Sequence, residues 1–426
     1  MENSILFKNI HFLRPGHPCH NQVCDLLVVD NKIIDWGNGL DNPTGGKIWE
    51  GNVEEEDVYL SPGWMDLFST ICDPGYEWKE SLKGWASAAE AGGFTRAQAF
   101  PYTHPTLDSG NALQAFSQSS AKLPLWIHWA PALFLNTQEV QLTEAFDLSR
   151  FGVTHFMGSL HQKISTPNLR LALEYINPLK GKAWLRPMDV EFLQLGQIHE
   201  GTISLKTGLT GIPEISETLV IQKYIALSEL TGTPIHLLGI STAKGITLLN
   251  QARQNGIPVT ASASILNLIW SEESLENYDA HLKVIPPLRP KEDVVALQEA
   301  VRKQEILIHS GHFPCTVEEK NVEFPKAEFG AATLRCAAQL TWSCLMDSGK
   351  ITIDQWVNLM SDQPRAELGL NPITLEKNSS AELTLFKVHK KPIPIECSPG
   401  PGEAKNYPQT LPNSSLQILF TLKGYS

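Results

Sequence analysis

"GWMDLFSTICDPGYEWKES", residues 63–81, stands where the rhythm of the chain changes. Upstream, "ILFKNIHFL" (5–13) alternates apolar and polar residues, and "DLLVVDNKIIDWG" (25–37) holds two β-rich runs joined at Asp30-Asn31, a hairpin signal. Downstream, helices and short apolar strands take turns. "ESLKGWASAAEAGG" (80–93) is an amphipathic helix with a glycine stop, and the strand "TRAQAF" (95–100) follows it. The pattern returns in "SETLVIQKYIALSELTG" before "TPIHLLGI", in "AKGITLLNQARQNG" before "IPVTASA", and in "DVVALQEAVRKQ" before "ILIHSGH". Near the other end, "AELTLFKV" and "LQILFTLKG" again read as short alternating strands.

Repeated βα units over about 300 residues favour a (β/α)8 barrel over a doubly wound sheet. No G-x-G-x-x-G stretch follows a strand, which weakens a dinucleotide site. The expected organisation is a barrel over residues 61–374 and a small discontinuous β-sandwich from residues 1–60 and 375–426.

Composition narrows the function. The chain has 426 residues, 42% hydrophobic and 19% charged, as in ordinary globular proteins. A net charge of −12 argues against a nucleic-acid partner, since phosphate binding needs a basic face. No stretch approaches the roughly 20 apolar residues of a membrane span. The start "MENSILFKNIHFL" lacks the basic and apolar regions of a secretion signal. Seven cysteines, odd in number and with no C-x-x-C pair, fit a reduced cytoplasmic protein.

The stretch "LSPGWMDLFSTICDPGYEWKESLKGWASAAEAGGFTRAQAFPYTHPTLDS" resembles the first barrel strand and following unit of the dihydroorotases, in the amidohydrolase superfamily. That family reads P-G-x-x-D-x-H-x-H-x-R-x-P-G, then A-G-G-F-T, then M-P-N-T-x-P. The likeness continues through "EGTISLKTGLTGIPEISE", "HLLGISTAKG", "VTASASILNL", "KVIPPLRPKEDVVAL", "SGHFPCTVEEK" and "QPRAELGL", so it spans nearly the whole chain. It implies a barrel whose mouth holds one or two divalent metals, normally zinc, that activate water and polarise a cyclic amide.

The residues that carry this chemistry are largely replaced. The first-strand histidine pair falls at Phe68 and Thr70, and the carboxylate-gripping arginine at Cys72. The asparagine of M-P-N-T becomes Tyr102. The metal-bridging acidic residue falls at Gly158 or Ser159, and "WLRPMD" (184–189) lacks the histidine of the family's H-C-E-D block. "HLLGIST" keeps His236 but puts Gly239 at the second, metal-binding histidine. In "SGHFPC", Gly311 replaces the catalytic aspartate and Cys315 the last histidine, while His312 survives outside the catalytic position. Arg335 stands where the family has a glutamate.

A rebuilt metal site needs three converging ligands and an open position. His309 with His312, or His104 with Asp108, would be its seeds, but thirteen histidines yield such pairs by chance. Lys283 and Arg289 either bind an anion or pair structurally within a Pro-Pro loop. The family resemblance would bring Cys72 and Cys315 together at the mouth, although lone cysteines are more often small buried hydrophobes. Three readings stand open. The first is a catalytically inactive family member acting as a structural or regulatory partner in pyrimidine biosynthesis, through aspartate carbamoyltransferase or self-association, with no cofactor. The second is a working dihydroorotase or other cyclic amidohydrolase with an unrecognised metal site. The third is a small-molecule binding protein whose altered mouth uses Tyr102, His281, Arg289, His312 and Cys315.

Overall fold

A computed structural model of the chain describes residues 4–42, 45–51, 57–135, 141–158 and 163–424. Eight parallel strands close a (β/α)8 barrel. Three of them, Trp64–Ile71, Phe94–Pro101 and Trp126–Trp129, form one ladder. The other five, His155–Met157, Lys182–Leu185, Ile235–Leu238, Val259–Ser264 and Leu307–His309, form a second. Single parallel bridges, Ala132 to Met157 and Ser69 to His312, join the two at both seams. The second seam is reinforced from inside the barrel wall. Buried Asp66 accepts bonds of 2.7 Å from both the backbone N and Oγ of Ser310, tying the first strand to the end of the last.

The sequence explains why the helices fall where they do. Ser81 caps the helix Leu82–Ala91 by accepting from the Gly84 N–H at 3.1 Å, which satisfies a donor the first turn would leave unpaired. Thr242 does the same for Ala243–Gln254 through Gly245. Ile215–Thr231 ends at Gly232, whose φ of 68° is the left-handed stop that glycine adopts without a Cβ penalty. Helices and strands bury their facing apolar sides in one continuous core around the barrel.

Both β-rich ends meet in a single seven-stranded sheet, the small β-sandwich domain beside the barrel. Val23–Val29 and Lys32–Gly37 form the hairpin read from the sequence, with Asp30 and Asn31 at φ 48° and 59° in its turn. Asp57–Pro62 pairs in parallel with Ser4–Phe12 and antiparallel with Glu382–Pro394. Phe7, Ile10, Leu26, Leu60, Leu383 and Leu385 fill the core beneath it. The two terminal strands are longer than the short runs expected, Glu382–Pro394 and Asn413–Lys423, because register shifts let a bent ladder continue past each irregularity. Glu382 latches this sheet to the barrel by accepting from Arg96 Nε at 2.9 Å and from Arg365.

Arg335, unexplained by the sequence, forms a two-pronged pair with the buried carboxylate of Glu403, with Nε to Oε2 at 2.9 Å and Nη2 to Oε1 at 2.5 Å. It holds down the "CSPGPGE" loop. Gly402 of that loop accepts from the Ser81 N–H at 2.9 Å, so the C-terminal segment braces the start of the first barrel helix.

Candidate functional site

The C-terminal ends of the barrel strands surround a cavity of about 340 Å³. Phe68, Tyr102, Arg186, Gly311, Phe313 and Cys315 line it, together with Lys79, Glu319 and Glu328. Parallel strands present their C-terminal ends on one face, which is where such barrels carry function.

Aromatic rings pack beneath and beside this mouth. Phe68 packs on Phe100 at 4.8 Å between centroids and meets the edge of His309 at 5.3 Å. Phe100 touches Trp184, which stacks on His236 at 3.9 Å. His236 is consumed structurally: Nδ1 lies 2.9 Å from Glu367 Oε1, and Nε2 lies 2.8 Å from Ser262 Oγ. Burial works against the Glu367 charge, but His236 and Lys182 hold its carboxyl down to about 2.

His309 is buried at the end of the strand Leu307–His309, beneath the mouth. Among the described residues neither ring nitrogen has a hydrogen-bond partner, and burial, with His236 and Arg186 nearby, pushes it down to about 3. His312 does not join it. Gly311 turns the chain at φ 67°, and the His312 ring faces away from the cavity. Its Nδ1 accepts from the backbone N–H groups of Thr333 and Leu334, at 3.1 and 3.3 Å, which leaves Nε2 to donate to Glu80 at 2.8 Å.

The fit to a divalent metal fails on the donor set. Phe68 offers no ligand atom, and the Thr70 hydroxyl donates to the His312 carbonyl at 3.0 Å. Gly239 and Gly311 offer no side chain, and Ser159 lies outside the described residues. Among the described residues, no three His, Cys, Asp or Glu side chains converge to hold a metal. The backbone at two of these positions disfavours a side chain. Gly311 is in the left-handed region, where a Cβ would come within 2.4 Å of Ser264 Oγ. At Gly239, φ 80°, a Cβ would press on Pro286 at 3.3 Å. Restoring an aspartate or histidine at these two positions therefore meets backbone strain as well as crowding.

Three of the five mouth residues read from the sequence lie elsewhere. Arg289, 1% exposed, donates to Ser241 Oγ at 2.9 Å, lies 2.9 Å from His199 Nδ1 and faces Glu217 at 3.5 Å. His281 borders a separate depression beside Asp279 and Gln409. His312 is the buried prop described above. In each case the loop after the strand turns the side chain toward a structural partner, which sequence spacing does not encode. Lys283 is likewise structural, donating to the carbonyls of Phe324, Pro325 and Ala327.

Tyr102 and Cys315 do reach the cavity. Tyr102 stacks on Tyr76 at 5.1 Å, with the Lys79 ammonium 5.5 Å from its ring centre, and Lys79 pairs with Glu319 at 2.7 Å. Burial pushes the Cys315 thiol up to about 11 and raises Cys72 as well, so neither is a thiolate nucleophile at neutral pH. Arg186 was missed. It sits in "WLRPMD", a block read only for the histidine it lacks, yet an arginine at a strand end before proline was the available signal.

Comparison with known proteins settles the lineage. No protein-family model matches the chain. The dihydroorotase of Pelotomaculum thermopropionicum is 30% identical over 363 residues, covering 85% of this chain and 84% of that protein. The dihydroorotase of Carboxydothermus hydrogenoformans is 31% identical over 372 residues, covering 85% and 86%. The chain belongs to the dihydroorotase family. Among solved structures, the L-hydantoinase of Arthrobacter aurescens superposes with a TM-score of 0.80 at 17% identity, covering 100% of this chain and 96% of that one. The dihydropyrimidinase of Brevibacillus agri gives 0.76 at 18%, covering 97% and 92%. These two likenesses bear on the fold: the barrel and sandwich match those of the hydantoinase and dihydropyrimidinase structures. No described helix is long and apolar enough to cross a membrane.

Proposed function

We propose that this member of the dihydroorotase family is catalytically inactive and serves pyrimidine biosynthesis in the cytoplasm as a structural or regulatory partner, either of aspartate carbamoyltransferase or of a second copy of itself. The observation that carries the reading is Phe68 at the mouth, at a position where the family resemblance calls for a metal-binding histidine, its ring packed against His309, whose ring nitrogens have no hydrogen-bond partner among the described residues. A phenyl ring cannot activate water, and a lone buried imidazole cannot hold a divalent ion. The family's arginine clamp is also gone, its place taken by the buried thiol of Cys72.

The purified chain, dialysed mildly, should retain well under one zinc per molecule and neither open dihydroorotate nor close carbamoyl aspartate above background. Stoichiometric metal with turnover would establish instead an active cyclic amidohydrolase. For the second half, the chain should co-purify with aspartate carbamoyltransferase from its native host or self-associate by light scattering. A strictly monomeric, partnerless chain would end that half of the reading.

Restoring the first-strand histidines alone should not revive the reaction. In Phe68→His with Thr70→His, the residues at 239, 311 and 72 remain unchanged, and catalytic groups act as a unit rather than additively. Measurable ring opening by the double variant would mean that a cryptic set of ligands completes the site.

A further inference from the structure

Arg186 is the anomaly of the mouth. It follows the strand Lys182–Leu185 and precedes Pro187, which restricts its backbone. The residue is 8% exposed, and its Nη1 is buried with no hydrogen-bond partner. Among the described residues no carboxylate pairs with it. Other buried arginines here are all engaged: Arg289 with Glu217, Arg365 with Glu382, and Arg14 with Asp362. Burial pushes the Arg186 guanidinium down only to about 10, so it is cationic at neutral pH. A desolvated cation without a counter-charge is unfavourable, and an anion arriving in the cavity relieves it.

We propose that the barrel-mouth cavity binds a small organic monocarboxylate with an apolar or aromatic body, its carboxylate received by the Arg186 guanidinium. Guanidinium and carboxylate are planar and meet through two parallel N–H···O bonds. Phe68, Leu266, Ile285, Phe313 and Phe329 line the same space with apolar surface. A volume of about 340 Å³ suits one ring with a short acidic arm. The remaining charges select against a second carboxylate. Lys79 is already paired with Glu319, and Glu328 lines the cavity as a further negative group. A dicarboxylate such as carbamoyl aspartate would set its second charge against these.

The proposal rests on the reading of the mouth as metal-free, so the test separates the two. The full chain is titrated calorimetrically at pH 7 with phenylacetate and indole-3-acetate, beside their neutral amides, in EDTA and then with added zinc. The carboxylates should bind in EDTA, at least tenfold more tightly than the amides and than carbamoyl aspartate. Arg186→Met should lose at least tenfold in carboxylate affinity while melting no lower than the parent chain, because it removes an unpaired charge. Arg186→Lys should recover part of the loss, and it carries the test if the methionine variant fails to fold. Equal binding of acids and amides, undiminished binding by the Arg186 variants, or no binding in either condition would overturn the proposal. Binding that vanishes in EDTA and returns with zinc would sink the metal-free reading, and this proposal with it.

Discussion

Replacing Glu217 by alanine should cost the folded protein about 3–5 kcal/mol, the range for removing one partner of a buried charge network. Glu217 is fully buried on the helix Ile215–Thr231. Its carboxylate accepts from the backbone N–H groups of Ser241 and Thr242, at 3.0 and 3.1 Å, and from both of their hydroxyls. Arg289 faces it at 3.5 Å and is itself 1% exposed. The alanine variant strands that guanidinium and two backbone donors at the turn leading into Ala243–Gln254. Urea unfolding of the variant beside the parent measures the loss. Glu217→Gln, which keeps acceptor and donor atoms but not the charge, should fall between them. A loss below about 1 kcal/mol for alanine, the scale of an exposed pair, would mean that water reaches the network and takes over.

Acid should weaken this fold from about pH 6.5 downward. Burial is the first cause of lowered proton affinity in four histidines: His128 and His309 fall to about 3, His155 and His199 to about 4. Arg96 reinforces burial at His128, Lys182 at His155 and Arg289 at His199. An unfolded chain protonates these residues near pH 6.5, so below that value it holds more protons than the folded one. Their contribution is present above about pH 6.5 and is lost as pH falls toward 4. Asp66 works the other way, since burial raises it to about 6 and the folded state takes up its proton first. For these five groups the net is about three protons near pH 5, or at most about 4 kcal/mol per pH unit, reduced by solvent screening at the partly exposed His128 and His155. The urea midpoint should therefore drop steeply between pH 6.5 and 5. A flat profile there would show that these rings stay protonated in the fold. His309→Phe should flatten the slope by about one proton, since the ring makes no hydrogen bond.

The fold was legible because its signals are local and repeated. Ser81, Thr242 and Gly232 mark helix ends by chemistry that acts within four residues, and the Asp30-Asn31 turn fixes a hairpin in the same way. Phe68, Gly239 and Gly311 were legible in the sequence by what they cannot do, since none of them offers a side-chain ligand atom. Side-chain direction at the loops was not. Arg289 and His312 each found partners contributed by distant segments, Glu217 and Glu80, and no spacing rule reports a contact of that kind. Arg186 was invisible for a different reason. Its distinguishing property is the lack of a partner among the described residues, which only the folded arrangement of those residues reveals.

The pairing of Asp57–Pro62 with Glu382–Pro394 sets a timetable for synthesis. Ser4–Phe12 finds Val23–Val29 and Lys47–Glu50 soon after they leave the ribosome, but the strand that covers the free side of Asp57–Pro62 emerges about 320 residues later, roughly 15–65 s at ordinary translation speeds. Through that interval the nascent sheet presents an open edge, a template for any other extended chain. The barrel must be threaded and closed while its neighbouring domain waits half-built. Expression of this protein should thus depend on chaperone capacity and elongation rate more than on the stability of the finished molecule.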